Sequence, residues 1–191
     1  MEYLSNCIAD FYIRRNIIEP DEKEVYKCGV ELILNDVVTF SLILLISAVV
    51  WHIRYAIEFL TVFCTTRVHC GGYHAPKAYI CRLTMLATFV CVAILSSVSR
   101  DAGSAVLYLI LAVSFIAILP LIPVKHPNKQ LTRQLISKSR KKGIGLYVVY
   151  SVCSVLIYTF ANGHDGMIIA FSLCAVSALA IIGTFVNGRR C

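Results

Sequence analysis

The chain has 191 residues, of which 58% are hydrophobic and 15% charged. Soluble domains average about 25% charged residues. This balance, with a mean hydropathy of +0.75, excludes an ordinary soluble domain and predicts one polytopic membrane unit. The net charge of +7 lies in segments between apolar runs, with no basic–aromatic groove motif. Nucleic acid is therefore excluded as a partner, and the lipid bilayer is implied.

In residues 1–18, Tyr3, Leu4, Cys7, Ile8, Phe11 and Tyr12 recur at three- and four-residue steps. That period predicts an amphipathic helix lying on the membrane surface, broken at Pro20. Its apolar residues precede Arg14 and Arg15, the reverse of a signal peptide's order. Asp21 with Glu24 is expected to form a capping box for a second helix. This helix carries Val25, Tyr26, Leu32 and Ile33, and residues 1–32 read as an amphipathic N-terminal segment. A transmembrane helix needs about 20 residues. Six spans are expected on that rule, at 33–51, 54–68, 78–98, 104–122, 144–160 and 167–186. The second is short and contains Glu58, which is placed either near the outer surface or paired with Arg54. Pro120 and Pro123 end the fourth span. Asn162-Gly163-His164-Asp165-Gly166 reads as a turn between the last two. The expected fold is all-α, a single integral membrane domain of about six transmembrane helices plus the N-terminal interfacial helix.

Sixteen of the 18 Lys and Arg residues fall on one side of this arrangement, leaving Arg54 and Arg100 for the other. Positive charge marks the cytosolic side, so both termini are expected in the cytosol of a multi-pass cell-membrane protein. The basic loop 123–143 lies there as well. It serves topology and anionic headgroups by default, or it docks an acidic peptide. The nine cysteines are an odd count and fall in apolar or cytosolic segments. They read as thiols rather than a disulfide framework.

Residues 67–82, RVHCGGYHAPKAYICR, gather the reactive groups. Gly71 and Gly72 permit a turn, and Pro76 suits the start of the next helix. His74 precedes that helix and Cys81 lies just inside it. A base, a thiol and a helix N-terminus are the parts of a cysteine nucleophile site. In a straight helix, seven residues would separate the two by about 10 Å, so His74 must fold back from the turn. Spacing alone leaves three readings open. In one the pair arises by chance among nine cysteines and five histidines; in another it is catalytic; in the third Cys64, His69, Cys70, His74 and Cys81 ligate zinc, although they match no standard zinc spacing. A third catalytic residue is not selected among Glu31, Asn35 and Asp36. A membrane transporter or export channel for a peptide is the rival class. Against it stand the near absence of intramembrane charge and of any nucleotide-binding motif. No cofactor is called for.

Three stretches carry a family resemblance: EVYKCGVELIL at 24–34, RVHCGGYHAPKAYIC at 67–81, and KHPNKQLT at 125–132. Together with the hydropathy pattern they resemble the accessory gene regulator protein B (AgrB) family, membrane cysteine endopeptidases of bacterial peptide quorum sensing. The resemblance implies that His74 and Cys81 are catalytic. It implies supporting or substrate-binding roles for Arg67, Gly72 and Lys129. The implied substrate is a propeptide with an amphipathic leader, a central signal segment and an acidic C-terminal tail. The implied reaction is tail cleavage and ring closure through an acyl-enzyme thioester, and the implied assembly is a homodimer. Where the family has a Tyr-Gly pair, this chain reads Tyr26-Lys27-Cys28-Gly29. His69 and Cys70 are particular to this sequence.

Overall fold

The computed structural model describes residues 2–70, 78–99, 102–122, 133–161 and 163–188. Among these, seven α-helices follow in order: α1 Glu2–Arg14, α2 Lys23–Val50, α3 Ile53–Cys70, α4 Ala78–Val98, α5 Ser104–Ile118, α6 Arg133–Phe160 and α7 Gly163–Gly188. The described residues contain no strand. Among the described residues, four segments are long and apolar enough to cross a membrane: Pro20–Val50, Tyr79–Val98, Ile136–Phe160 and Gly163–Val186. The chain is an all-α polytopic membrane protein. Of the other two expected spans, α3 carries Arg54, Glu58 and Arg67 within its 18 residues. The other, α5, has only 15 residues, because Pro120 lacks an N–H to extend it.

The elements differ from expectation in four places. The first helix stops at Arg14, short of Pro20. Asn16 adopts a left-handed φ of 54°, and its N–H donates to the Ile13 carbonyl while that of Ile17 donates to Tyr12. This pair of bonds is a Schellman cap, which ends a helix without proline. The Asp21–Glu24 capping box does not form. Pro20–Glu22 is instead a turn of 3-10 helix, and no side chain caps α2. The basic loop is shorter than expected, since residues 133–142 are the first turns of α6; Leu, Lys, Arg and Gln are good helix formers. The 162–166 turn is also shorter, because α7 begins at Gly163 and buries His164 and Asp165. An acid in the first turn suits the helix dipole.

The bundle is organised around α7, against which α3, α4, α5 and α6 all pack. Met167, Ile168, Ala170, Leu173, Val176 and Ala180 are all buried. Close approach comes from small residues, as expected where lipid offers no competing hydrophobic drive. A Cβ on Gly166 would stand 2.6 Å from Tyr158 Cβ and 2.8 Å from the Ser154 carbonyl oxygen of α6. Ser154 Oγ donates to the Gly166 carbonyl at 2.7 Å. Deeper in, Tyr147 Oη donates to Ser114 Oγ at 2.6 Å and lies 3.3 Å from Ser177 Oγ. Ser177 Oγ donates to the Ser114 carbonyl at 3.0 Å. This buried knot joins α5, α6 and α7. On the outside, α1 lies along the start of α2. Ser5 Oγ donates to Glu31 Oε1 at 3.0 Å, and Lys23 pairs with Asp10 at 2.7 Å. Ser5 and Ala9 are buried by this contact, while Tyr3, Leu4 and Phe11 are exposed. That apolar face fits an interfacial helix.

One end of the bundle carries a polar cluster. Arg54 of α3 pairs with Asp165 of α7 at 3.1 Å and with Glu58 at 3.8 Å. The Tyr55 ring stacks on His164 at 4.3 Å, and His164 Nε2 lies 3.2 Å from Ser97 Oγ of α4. Glu58 therefore pairs with Arg54, as one of the two expected placements has it.

Two substitutions test the packing. Gly166→Ala forces α6 and α7 apart and should destabilise the purified protein by about 1–3 kcal/mol, the usual cost of overpacking. Tyr147→Phe removes hydrogen bonds but keeps the shape and should cost only about 0.5–1.5 kcal/mol. Unfolding in detergent, followed by circular dichroism, should rank them in that order. The reverse ranking would place the critical contact in the knot.

Candidate functional site

The other end of the bundle is formed where α3 finishes and α4 begins. Seven residues, Gly71–Lys77, join them and lie outside the described residues. So do Gly72, His74 and Lys129, together with the expected fold-back of His74 onto Cys81. The structure does place Arg67 and Cys81.

Arg67 stands in the last turn of α3, half-buried, its guanidinium carbon 5.4 Å above the Phe63 ring. Such a contact holds a cation by the ring's quadrupole. Cys81 stands in the first turn of α4 as a free, half-buried thiol. Residues 81, 85, 89, 92 and 96 share one face of a helix. Met85, Phe89, Val92 and Ser96 are all buried. Cys81 thus heads the inner stripe of α4, at the point where that stripe emerges from the bundle.

A second thiol near this end, Cys70, sits differently. It is fully buried at the end of α3, and its Sγ lies 3.2 Å from where a Cβ on Gly143 would stand. Gly143 is what lets α6 pass this close. A thiolate at Cys70 would be stripped of water, which disfavours it. Cys64 is half-buried one helical turn before Arg67's neighbour Val68. Among the described residues, no three His, Cys, Asp or Glu side chains come together as a metal site. The zinc reading gains nothing from Cys64, His69, Cys70 and Cys81.

The three polar residues left open on α2 separate clearly. Glu31 accepts from Ser5 of α1, and Asp36 is exposed. Asn35 is buried, and its Oδ1 accepts from both Nε and Nη2 of Arg82, at 3.1 and 2.8 Å. Arg82 follows Cys81 directly, and sequence reasoning gave it no role beyond its charge. A lone amide inside an apolar helix was the available signal; its partner, 47 positions away, was not readable.

These features define a helical membrane protein that carries a half-buried thiol at one end of its bundle, followed in sequence by an arginine. A family model described as Accessory gene regulator B (AgrB) matches residues 5–184, and the chain belongs to that family. No curated protein and no solved structure matches it. Membership carries a role in processing a quorum-sensing propeptide at the membrane.

The two thiols should differ in reactivity. In the folded protein, iodoacetamide should modify Cys81 well before Cys70, with Cys70 reacting only after unfolding, as read by peptide mass spectrometry. Equal labelling of both in the folded state would contradict the packing of Cys70 against α6.

Proposed function

We propose that this chain is a membrane cysteine endopeptidase that removes the acidic tail of a quorum-sensing propeptide and cyclises its signal segment. The observation that carries this reading is the position of Cys81. It is a half-buried thiol at the head of the inner stripe of α4, inside the stretch the family model matches. Negative charge on sulfur there faces the positive end of the helix dipole. An ordinary thiol has a pKa of about 8.5 and is mostly protonated at neutral pH, so a base is needed. His74 is that base in this proposal.

The Cys81 proton passes to His74, and the sulfur attacks the carbonyl at the end of the signal segment. The carbon–nitrogen bond breaks, and the departing amine takes the proton from His74. The acidic tail leaves and a thioester to Cys81 remains. A thiol or hydroxyl within the peptide then gives up its proton and attacks that thioester. The ring closes as a thiolactone or lactone, and Cys81 leaves as thiolate and regains the proton. Arg67 and Gly72 support this site, Arg67 by binding a substrate carboxylate or polarising the carbonyl. The acidic tail docks on Lys138, Arg140, Lys141 and Lys142, all exposed on the first turns of α6, and on Lys129. In this proposal the six helices α2 to α7 all cross the membrane, both termini are cytosolic, and the protein works as a homodimer.

Cys81→Ala should abolish cleavage and ring closure together, and Cys81→Ser should be nearly as inactive. His74→Ala should also stop the reaction in a protein that still inserts. A propeptide lacking its internal nucleophile should leave a hydroxylamine-sensitive adduct on Cys81, visible by mass spectrometry. Processing by Cys81→Ala, or an adduct on Cys70, would overturn the assignment.

The basic turns make a separate prediction. Neutralising Lys138, Arg140, Lys141 and Lys142 together should raise the propeptide KM and flatten its salt dependence, since screening acts on exposed charges. An unchanged KM in a correctly inserted variant would leave these residues to topology alone. A cysteine at position 138 should resist an impermeant maleimide in intact cells; labelling from outside would refute the six-span topology.

A further inference from the structure

We infer that Asn35 and Arg82 are positioning residues that set the direction in which Cys81 faces. The inference rests on Cys81 being the nucleophile and adds to it the part that holds the nucleophile still. Arg82 is the residue after Cys81, in the first two turns of α4. Near a membrane boundary, an arginine ordinarily extends its head toward water. Here it turns to α2 instead, and two of its N–H groups converge on the single oxygen Asn35 Oδ1, at 3.1 and 2.8 Å. Asn35 itself is 5% exposed, so the acceptor is fixed in the packed face of α2. One turn along, Thr39 Oγ1 donates to the Asn35 carbonyl at 2.6 Å, and Ile43 continues the same buried face.

Two converging donors restrain a guanidinium more than one would, because swinging the plane breaks both bonds. Successive residues of a helix are about 100° apart around its axis. Holding Arg82 against α2 therefore also fixes the azimuth and height of Cys81, one residue earlier. The clamp is needed here because Cys81 lies in the first turn of α4. The first N–H groups of a helix have no intrahelical partners, and helix ends fray. A neutral carboxamide suits this role. Its oxygen accepts both N–H groups, as a carboxylate oxygen also could.

The test uses the purified full-length protein in liposomes with its propeptide. Asn35→Ala and Arg82→Ala should each lower kcat by about 10–100-fold, the order expected for a small misplacement of a reacting group. KM should change by less than about threefold, because the tail-docking residues are elsewhere. The double variant should be no slower than either single one, since the two residues act as a unit. Asn35→Asp keeps the acceptor and should retain most of kcat. Arg82→Lys keeps the charge but not the two-donor geometry and should be slow. Thermal unfolding should be compared for all five proteins, and the alkylation rate of Cys81 should change only in the variants that lose kcat. If Asn35→Ala does not accumulate, the contrast between Asn35→Asp and Arg82→Lys decides. Wild-type kcat in Arg82→Lys, or losses that multiply in the double variant, would overturn the inference. Cys81→Ala separates the two claims. If it remains active, the nucleophile assignment fails. If it is dead while Asn35→Ala and Arg82→Ala turn over normally, only the positioning role fails.

Discussion

Hydrocarbon offers no partner to a polar group, so each one that enters the bilayer must be satisfied within the protein. Most of this structure follows from that constraint. Serine and threonine hydroxyls on the helices bond back to carbonyls four residues earlier: Thr39 to Asn35, Thr84 to Ile80, Ser96 to Val92, Ser172 to Ile168. The few polar groups that cannot close on their own helix are used to join helices. Tyr147 spends its hydroxyl on Ser114 and Ser177, and Ser154 spends its own on Gly166. Such bonds are individually modest in a membrane, about 0.6–2 kcal/mol. Their value is that each fits only one pairing of helices, whereas apolar faces alone would tolerate sliding.

The apolar runs that became α2, α4, α6 and α7 were legible because hydropathy over about 20 residues is a physical requirement of the bilayer. Helix boundaries were less legible, and for separate reasons. The stop of α1 at Arg14, capped by Asn16, is backbone chemistry that Pro20 masks by being the more obvious breaker. Asn162 to Gly166 has the composition of a turn, yet Gly166 is there for its missing Cβ beside Tyr158. His164 and Asp165 are held by Ser97 and Arg54. Those are tertiary reasons, invisible in a local reading. The basic run before Gly143 looked like a loop because charge hides helical period in so short a stretch.

Of the proposed site, the sequence carried the residue types and their common end of the bundle, since α3 ends before and α4 begins after residues 71–77. Arg67 and Cys81 stand where that connectivity requires. Cys81 and Cys70 differ in packing, which their order along the chain does not reveal. Cys70 is packed under Gly143 of α6, and Cys81 is half-buried at the head of the inner stripe of α4. Asn35 was one of three polar candidates on α2, and only the fold separates it from Glu31 and Asp36 by giving it Arg82. His74, Gly72 and Lys129 lie outside the described residues, so their roles stay with the proposal.

The demands of the proposed chemistry agree with where the thiol is found. Converting an amide to a thioester is uphill, so the intermediate is productive only if water is kept from it until the ring closes. A thiol wholly inside the bundle would exclude water and peptide alike; one on an open surface would admit both. Cys81 lies between these extremes, with Met85 and Phe89 buried beneath it. The helix that bears it is then held at both of its ends. At the near end Arg82 reaches Asn35 of α2, and at the far end Ser97 reaches His164 of α7. The two clamps are about 23 Å apart along α4 at 1.5 Å per residue. Between them the helix is mostly apolar, and its Thr84, Thr88 and Ser96 hydroxyls close on its own carbonyls. A membrane helix that must present one atom accurately needs polar contacts at its ends, and α4 has one at each.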